Sequence, residues 1–145
     1  MSLFSGSSPR QINLALLILR VVAGMTLAAH GYQKVFGYGL SGVAGSFGTM
    51  GVPMANIVGP SVAILELVGG VAIVVGLLTR LFSIALAVDM LGAIFFVHMA
   101  NGFFAPKGIE LTLLLAAMFV TLLITGAGTL SVDSALDKNL KESHA

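Results

Sequence analysis

The sequence predicts an all-α membrane protein: one domain, a bundle of four transmembrane helices with a short interfacial or re-entrant helix between the first and second. Three observations predict it. Of 145 residues, 57% are hydrophobic and 9% charged, against about 45–50% and about 25% in an average soluble domain. Mean hydropathy is +1.04, and a soluble chain of 14.9 kDa has too little interior to hide that much apolar surface. Four apolar runs qualify by length, a helix needing about 20 residues to cross a bilayer core. They are too long and too free of alternation for barrel strands, and helices satisfy their own backbone groups in lipid. This composition excludes a disordered chain, a nucleic-acid-binding domain and an ordinary water-soluble enzyme.

The first helix is expected over about residues 12–31. Arg10 ahead of an apolar run looks like the start of a signal peptide, but Arg20 interrupts the apolar core, which a signal peptide avoids. In the connection that follows, Gly39, Gly42, Gly45, Gly48 and Gly51 recur every third residue. Proline is missing from that run, so it is not collagen-like. Leu40, Val43, Ala44, Phe47 and Met50 fall near one helical face, which predicts a short helix ended by Gly51-Val52-Pro53. Such a helix either hugs the membrane or forms a lid over a site on the outer side.

The second and third helices, about 57–79 and 81–100, are separated only by Arg80 and form a tight hairpin. Asn101 to Gly108 leads to the fourth, about 109–126, and a polar tail occupies 127–145. An even number of spans puts both termini on one side. That side carries Arg10, Arg80, Lys138 and Lys141, the other Lys34 and Lys107, so the positive-inside rule places the termini in the cytoplasm.

Net charge is +1 and cysteine is absent. Disulfides, thiolate metal sites and cysteine nucleophiles are excluded, so a redox role needs a bound cofactor, a quinone or another subunit. No nucleophile constellation stands out, and the sequence assigns no catalytic residue. Arg20, Glu66 and Asp89 lie inside apolar runs. Each costs about 2.5–3.5 kcal/mol at a helix centre, so each should face the bundle and have a partner. By helical rise, Arg20 and Asp89 lie about 12 Å from the cytoplasmic edge and Glu66 about 20 Å. Arg20 is therefore expected to meet Asp89, or Glu66 with its side chain extended. Two acids then compete for one base, and one carboxyl holds a proton. The cluster is either a static clasp that fixes helix register or a ligand-binding and proton-handling centre.

Gly59, Ala63, Gly69, Gly70 and Gly76 share the face of Glu66, a pattern that permits close helix packing and a homo-oligomer. His30 and His98 are expected about 26 Å from the cytoplasmic edge, near Tyr32, Lys34, Asn101, Lys107 and Glu110. They could hold haem or a metal, carry protons, hydrogen-bond a quinone, or sit at the wet interface. On a straight third helix His98 points opposite Asp89, so a single site containing both needs a kink. Glu110 opens the fourth helix, where the macrodipole favours a carboxylate, and Thr121 and Thr125 continue its face as a polar stripe.

Several motifs occur in order: Leu19-Arg20-Val21-Val22-Ala23-Gly24, His30-Gly31-Tyr32-Gln33-Lys34, Met50-Gly51-Val52-Pro53, Glu66-Leu67-Val68-Gly69-Gly70, Gly76-Leu77-Leu78-Thr79-Arg80, His98 before Asn101-Gly102-Phe103-Phe104, Gly108-Ile109-Glu110, and Gly126-Ala127-Gly128-Thr129-Leu130-Ser131-Val132-Asp133. Together they resemble the DoxX family over about residues 12–133. Family members often carry Gly-Pro-Gly where this chain has Gly126-Ala127-Gly128. The resemblance implies a small four-helix protein of the bacterial inner membrane. The family is named for a subunit of a thiosulfate:quinone oxidoreductase, and other members are linked to oxidative-stress or thiol-redox complexes. Matched polar positions are Arg20, His30, Lys34, Glu66, Arg80, His98 and Glu110, whereas Asp89 rests on depth alone.

The expected function is a redox-associated membrane subunit that binds a quinone or similar small hydrophobic ligand, with the lipid bilayer and redox-enzyme subunits as partners. The alternative is a small-solute or proton-coupled permease acting as an oligomer, motivated by the buried charges.

Overall fold

A computed structural model describes residues 6–143, and every regular element among them is helical. Six α-helices follow in order: α1 Pro9–Tyr32, α2 Leu40–Thr49, α3 Ala55–Val75, α4 Thr79–Ala93, α5 Glu110–Thr125 and α6 Val132–Ser143. π turns at Gln33–Tyr38 extend α1. Others at Ile94–His98 extend α4 into a 3-10 turn at Met99–Asn101. With these extensions, α1, α3 and α4 are long and apolar enough to cross a membrane; α5, at 16 residues, is a shorter apolar helix.

The helix ends follow from local chemistry. Ser8 Oγ accepts from Gln11 N at 3.4 Å, the Gln11 side chain accepts from Ser8 N at 2.7 Å, and Pro9 fills the first helical position. This reciprocal cap starts α1 earlier than hydropathy alone suggests. The apolar face read at 40–50 is α2, which turns Val43 and Ala44 inward.

The helices pack as two tight pairs, α1 with α3 and α4 with α5. Glycine sets the first pair: a Cβ on Gly24 would stand 2.6 Å from the Gly70 carbonyl oxygen, closer than atoms can approach. A Cβ on Gly59 would lie 3.1 Å from Ala44 Cα, so α2 folds down onto α3. The core is narrow and includes Ala23, Leu27, Ile73, Leu86, Phe119 and Leu122, while Ile18, Val22, Val68, Val71, Leu91 and Ile124 point outward. That outward apolar shell suits a lipid solvent.

The end of the bundle where α1 and α6 begin is clamped by side chains. Asn13 Oδ1 accepts from Thr129 N at 2.7 Å, which brings the end of α5 back to the start of α1. The Asp133 carboxylate accepts from Leu78 N at 2.7 Å and Thr79 N at 2.9 Å, while its own N–H donates to Gly76 O. A residue at the head of α6 thus caps the N-terminus of α4. The polar tail forms a helix, α6, with an exposed Lys141–Asp137 pair one turn apart. Asp133→Ala is expected to destabilise the fold by about 1–2 kcal/mol, the usual value of such a cap. Thermal unfolding in lipid nanodiscs would read this, and an unchanged melting curve would contradict the clamp.

Candidate functional site

Two charged groups predicted to meet are apart. Arg20 is buried at 1% exposure, but its Nη2 donates to the Leu130 carbonyl at 2.6 Å and its guanidinium lies over Gly76. Asp133 is the acid within electrostatic reach of Arg20. The expected pairing of Arg20 with Glu66 or Asp89 is therefore corrected. The reason is directional. Long helical side chains lean toward the N-terminus of their own helix. Arg20 leans toward the clamped end, while Glu66, on the antiparallel α3, leans the other way.

The partner of Glu66 is Lys34. Its side chain leans down the α1 extension into the bundle, and Nζ donates to Glu66 Oε1 at 2.5 Å. The side chains are 23% and 4% exposed respectively. Asp89, on α4, completes the centre: it lies within electrostatic reach of both. One oxygen of each acid, Glu66 Oε2 and Asp89 Oδ2, is buried without a hydrogen-bond partner. Orphaned buried oxygens of this kind call for a ligand, water or proton.

These three residues line one cavity of about 730 Å3 at the end of the bundle remote from the clamp. His30 and His98 line it too, with Gln33, Tyr38 and Ser46 among the polar groups and Leu27, Phe47, Met50, Val62, Leu65 and Leu115 among the apolar ones. The π turns at Ile94–His98 supply the kink that a common site for Asp89 and His98 requires. Each i→i+5 turn inserts a residue and rotates everything beyond it, and such turns concentrate at functional sites. His98 Nδ1 sits 2.7 Å from the Lys107 carbonyl. A carbonyl only accepts, so Nδ1 carries the hydrogen and Nε2 is left for another partner.

Glu110 lies outside the cavity wall. Its Oε2 accepts from Ala105 N at 2.9 Å and ties the loop before α5. Thr121 and Thr125 do not form an inward stripe: both are exposed and donate to the carbonyls of Ala117 and Thr121 on their own helix. The sequence reading missed Gln33, Tyr38, Ser46 and Thr112. Ser46 was within reach, because it adjoins Phe47 on the face that predicted α2. Among the described residues no three His, Asp or Glu side chains gather as a metal site.

The wall is mostly apolar with a few convergent polar groups, which suits a small hydrophobic ligand bearing a polar head.

A family model described as DoxX matches residues 15–99. A Haemophilus influenzae protein whose name gives no function is 34% identical, covering 85% of this chain and 91% of its own. CatD of Bacillus subtilis, provisionally named an oxidoreductase, is 31% identical over 93% of this chain and 96% of its own. The Escherichia coli inner membrane protein YqjF is 31% identical over 87% and 95%. No solved structure matches the chain.

Proposed function

Because the chain belongs to the DoxX family, we propose that it is a bacterial inner-membrane protein that binds a lipid-soluble quinone, or a similar small hydrophobic carbonyl compound, as the membrane subunit of a redox assembly. The observation that carries this reading is the Lys34–Glu66–Asp89 centre at the wall of a largely apolar cavity. One ammonium balances one carboxylate, and a single proton shared by Glu66 and Asp89 makes the trio neutral in a poor solvent. That proton and the remaining Lys34 N–H groups would hold a quinone oxygen. His98 and His30 would exchange protons with water at the mouth. The oxidoreductase designation of CatD and the membrane location in the name of YqjF agree with this role. In this reading α5 is the fourth crossing, and the clamped end, carrying Arg10, Arg80, Lys138 and Lys141, faces the cytoplasm.

Protein purified in native detergent is expected to carry quinone in its solvent extract, and Glu66→Gln to lose it while remaining folded. Wild-type protein that carries none, and whose melting is unmoved by added quinone, would overturn the reading. A second reading, a proton-coupled permease working as an oligomer, draws on the two orphaned carboxylate oxygens deep in the bundle. Flux of protons or small solutes into liposomes, absent in Asp89→Asn, would favour it instead.

A further inference from the structure

We infer that the cavity opens sideways into the bilayer between α3 and α4, so that its occupant is an amphiphile: the polar head stops at Lys34, Glu66 and Asp89 while an apolar tail lies in the gap. The inference rests on the quinone reading and deepens it by naming the ligand's class and route. The two helices meet near their hairpin, where a Cβ on Gly69 would stand 3.1 Å from Phe82 Cδ1 and 3.4 Å from Leu86 Cδ1. Farther from the hairpin they face the cavity, through Val62 and Leu65 on α3 and Ala85, Val88 and Gly92 on α4. Val88 lines the cavity yet is 63% exposed. It lies about 14 Å along α4 from the hairpin, at the depth of acyl chains.

A wall residue exposed at that depth marks an opening to lipid. The gap is walled by aliphatic groups, where a charged or strongly hydrated solute would be stripped of water without compensation, but an alkyl or isoprenoid chain loses nothing. Gly92 is the natural plug position. It lines the cavity one turn from Asp89, and a Cβ added there meets nothing within 4 Å.

The test uses the full chain in lipid nanodiscs and two quinones with one headgroup, the first tailless and the second carrying a long isoprenoid tail. Gly92→Phe is expected to weaken the long-tailed quinone about tenfold, because the phenyl ring fills the gap that the tail must cross and such overpacking is costly. It should leave the tailless quinone unchanged, and Gly92→Ala should bind both as wild type does. Equal effects of Gly92→Phe on both quinones would overturn the lateral opening while sparing the quinone reading. A wild type that binds neither would remove the quinone reading, and a spin label then decides the opening alone. The chain lacks cysteine, so Leu65→Cys gives a unique label in the gap. Contact with membrane-dissolved oxygen and shielding from a polar nickel chelate are expected. Free contact with the chelate would mean an opening to water and would overturn the inference.

Discussion

Gly76→Ala is expected to destabilise the protein by about 3–5 kcal/mol. Gly76 takes φ +72° in the turn between α3 and α4, a conformation that costs a side chain about 1–2 kcal/mol. The new Cβ would also overlap the Arg20 guanidinium and stand 2.6 Å from Ser131 Cβ. Arg20 would have to leave, surrendering its bond to the Leu130 carbonyl, and a hydrogen bond to a charged group contributes about 1.5–3 kcal/mol. Its Nε and Nη1 make no hydrogen bond, so the bond to Leu130 is the contact that seats the buried guanidinium. Gly45→Ala is the matched control: a Cβ there meets nothing within 4 Å, and alanine in a helix gains up to about 1 kcal/mol over glycine. Melting temperatures in nanodiscs should separate the two by on the order of 10 °C. Indistinguishable melting would show that Arg20 is not held over this turn.

Lys34→Met is expected to cost about 3–5 kcal/mol, because it leaves the neighbouring Glu66 and Asp89 carboxyls buried without a cation. Glu66→Leu alone should do less harm, since Lys34 keeps Asp89 within reach. Combining Lys34→Met with Glu66→Leu should recover part of the lost stability, because an apolar pair of similar volume often replaces a buried ion pair without loss while Asp89 still lacks a cation. Quinone retention should be absent from all three variants. This split separates the two roles of the pair: recovered stability without recovered binding marks a ligand site, and recovery of both would reduce the pair to a helix clasp. A double variant destabilised by the sum of the two single losses would show that the two side chains do not interact energetically.

Much of the architecture was legible because a bilayer imposes a simple requirement on sequence. Apolar runs long enough to cross it gave the first three long helices, and the period of Leu40, Val43, Ala44 and Phe47 gave α2. The same requirement marked Arg20, Glu66 and Asp89 as groups that must face inward, and two of the three do line the cavity. Less was legible where no local signal exists. The π turns at Ile94–His98 leave no mark in residue type, yet they decide that His98 shares a wall with Asp89. Thr121 and Thr125 could be placed on a face from sequence, but whether that face meets the cavity depends on how α5 is rotated against α4. The fourth run, read over about 109–126, is α5 over Glu110–Thr125, ended by Gly126 at φ +78°.

The sequence by itself determined the solvent, the helical class and the residues that must hide from lipid. All of these follow from transfer free energy and local periodicity, which each segment carries alone, whereas the family is carried by the order of its motifs. Only the tertiary structure decided which charge meets which. The offset between antiparallel helices, set by close approaches such as Gly24 on Gly70, carries Lys34 down to Glu66 and leaves Arg20 to the Leu130 carbonyl, and no single segment contains that offset.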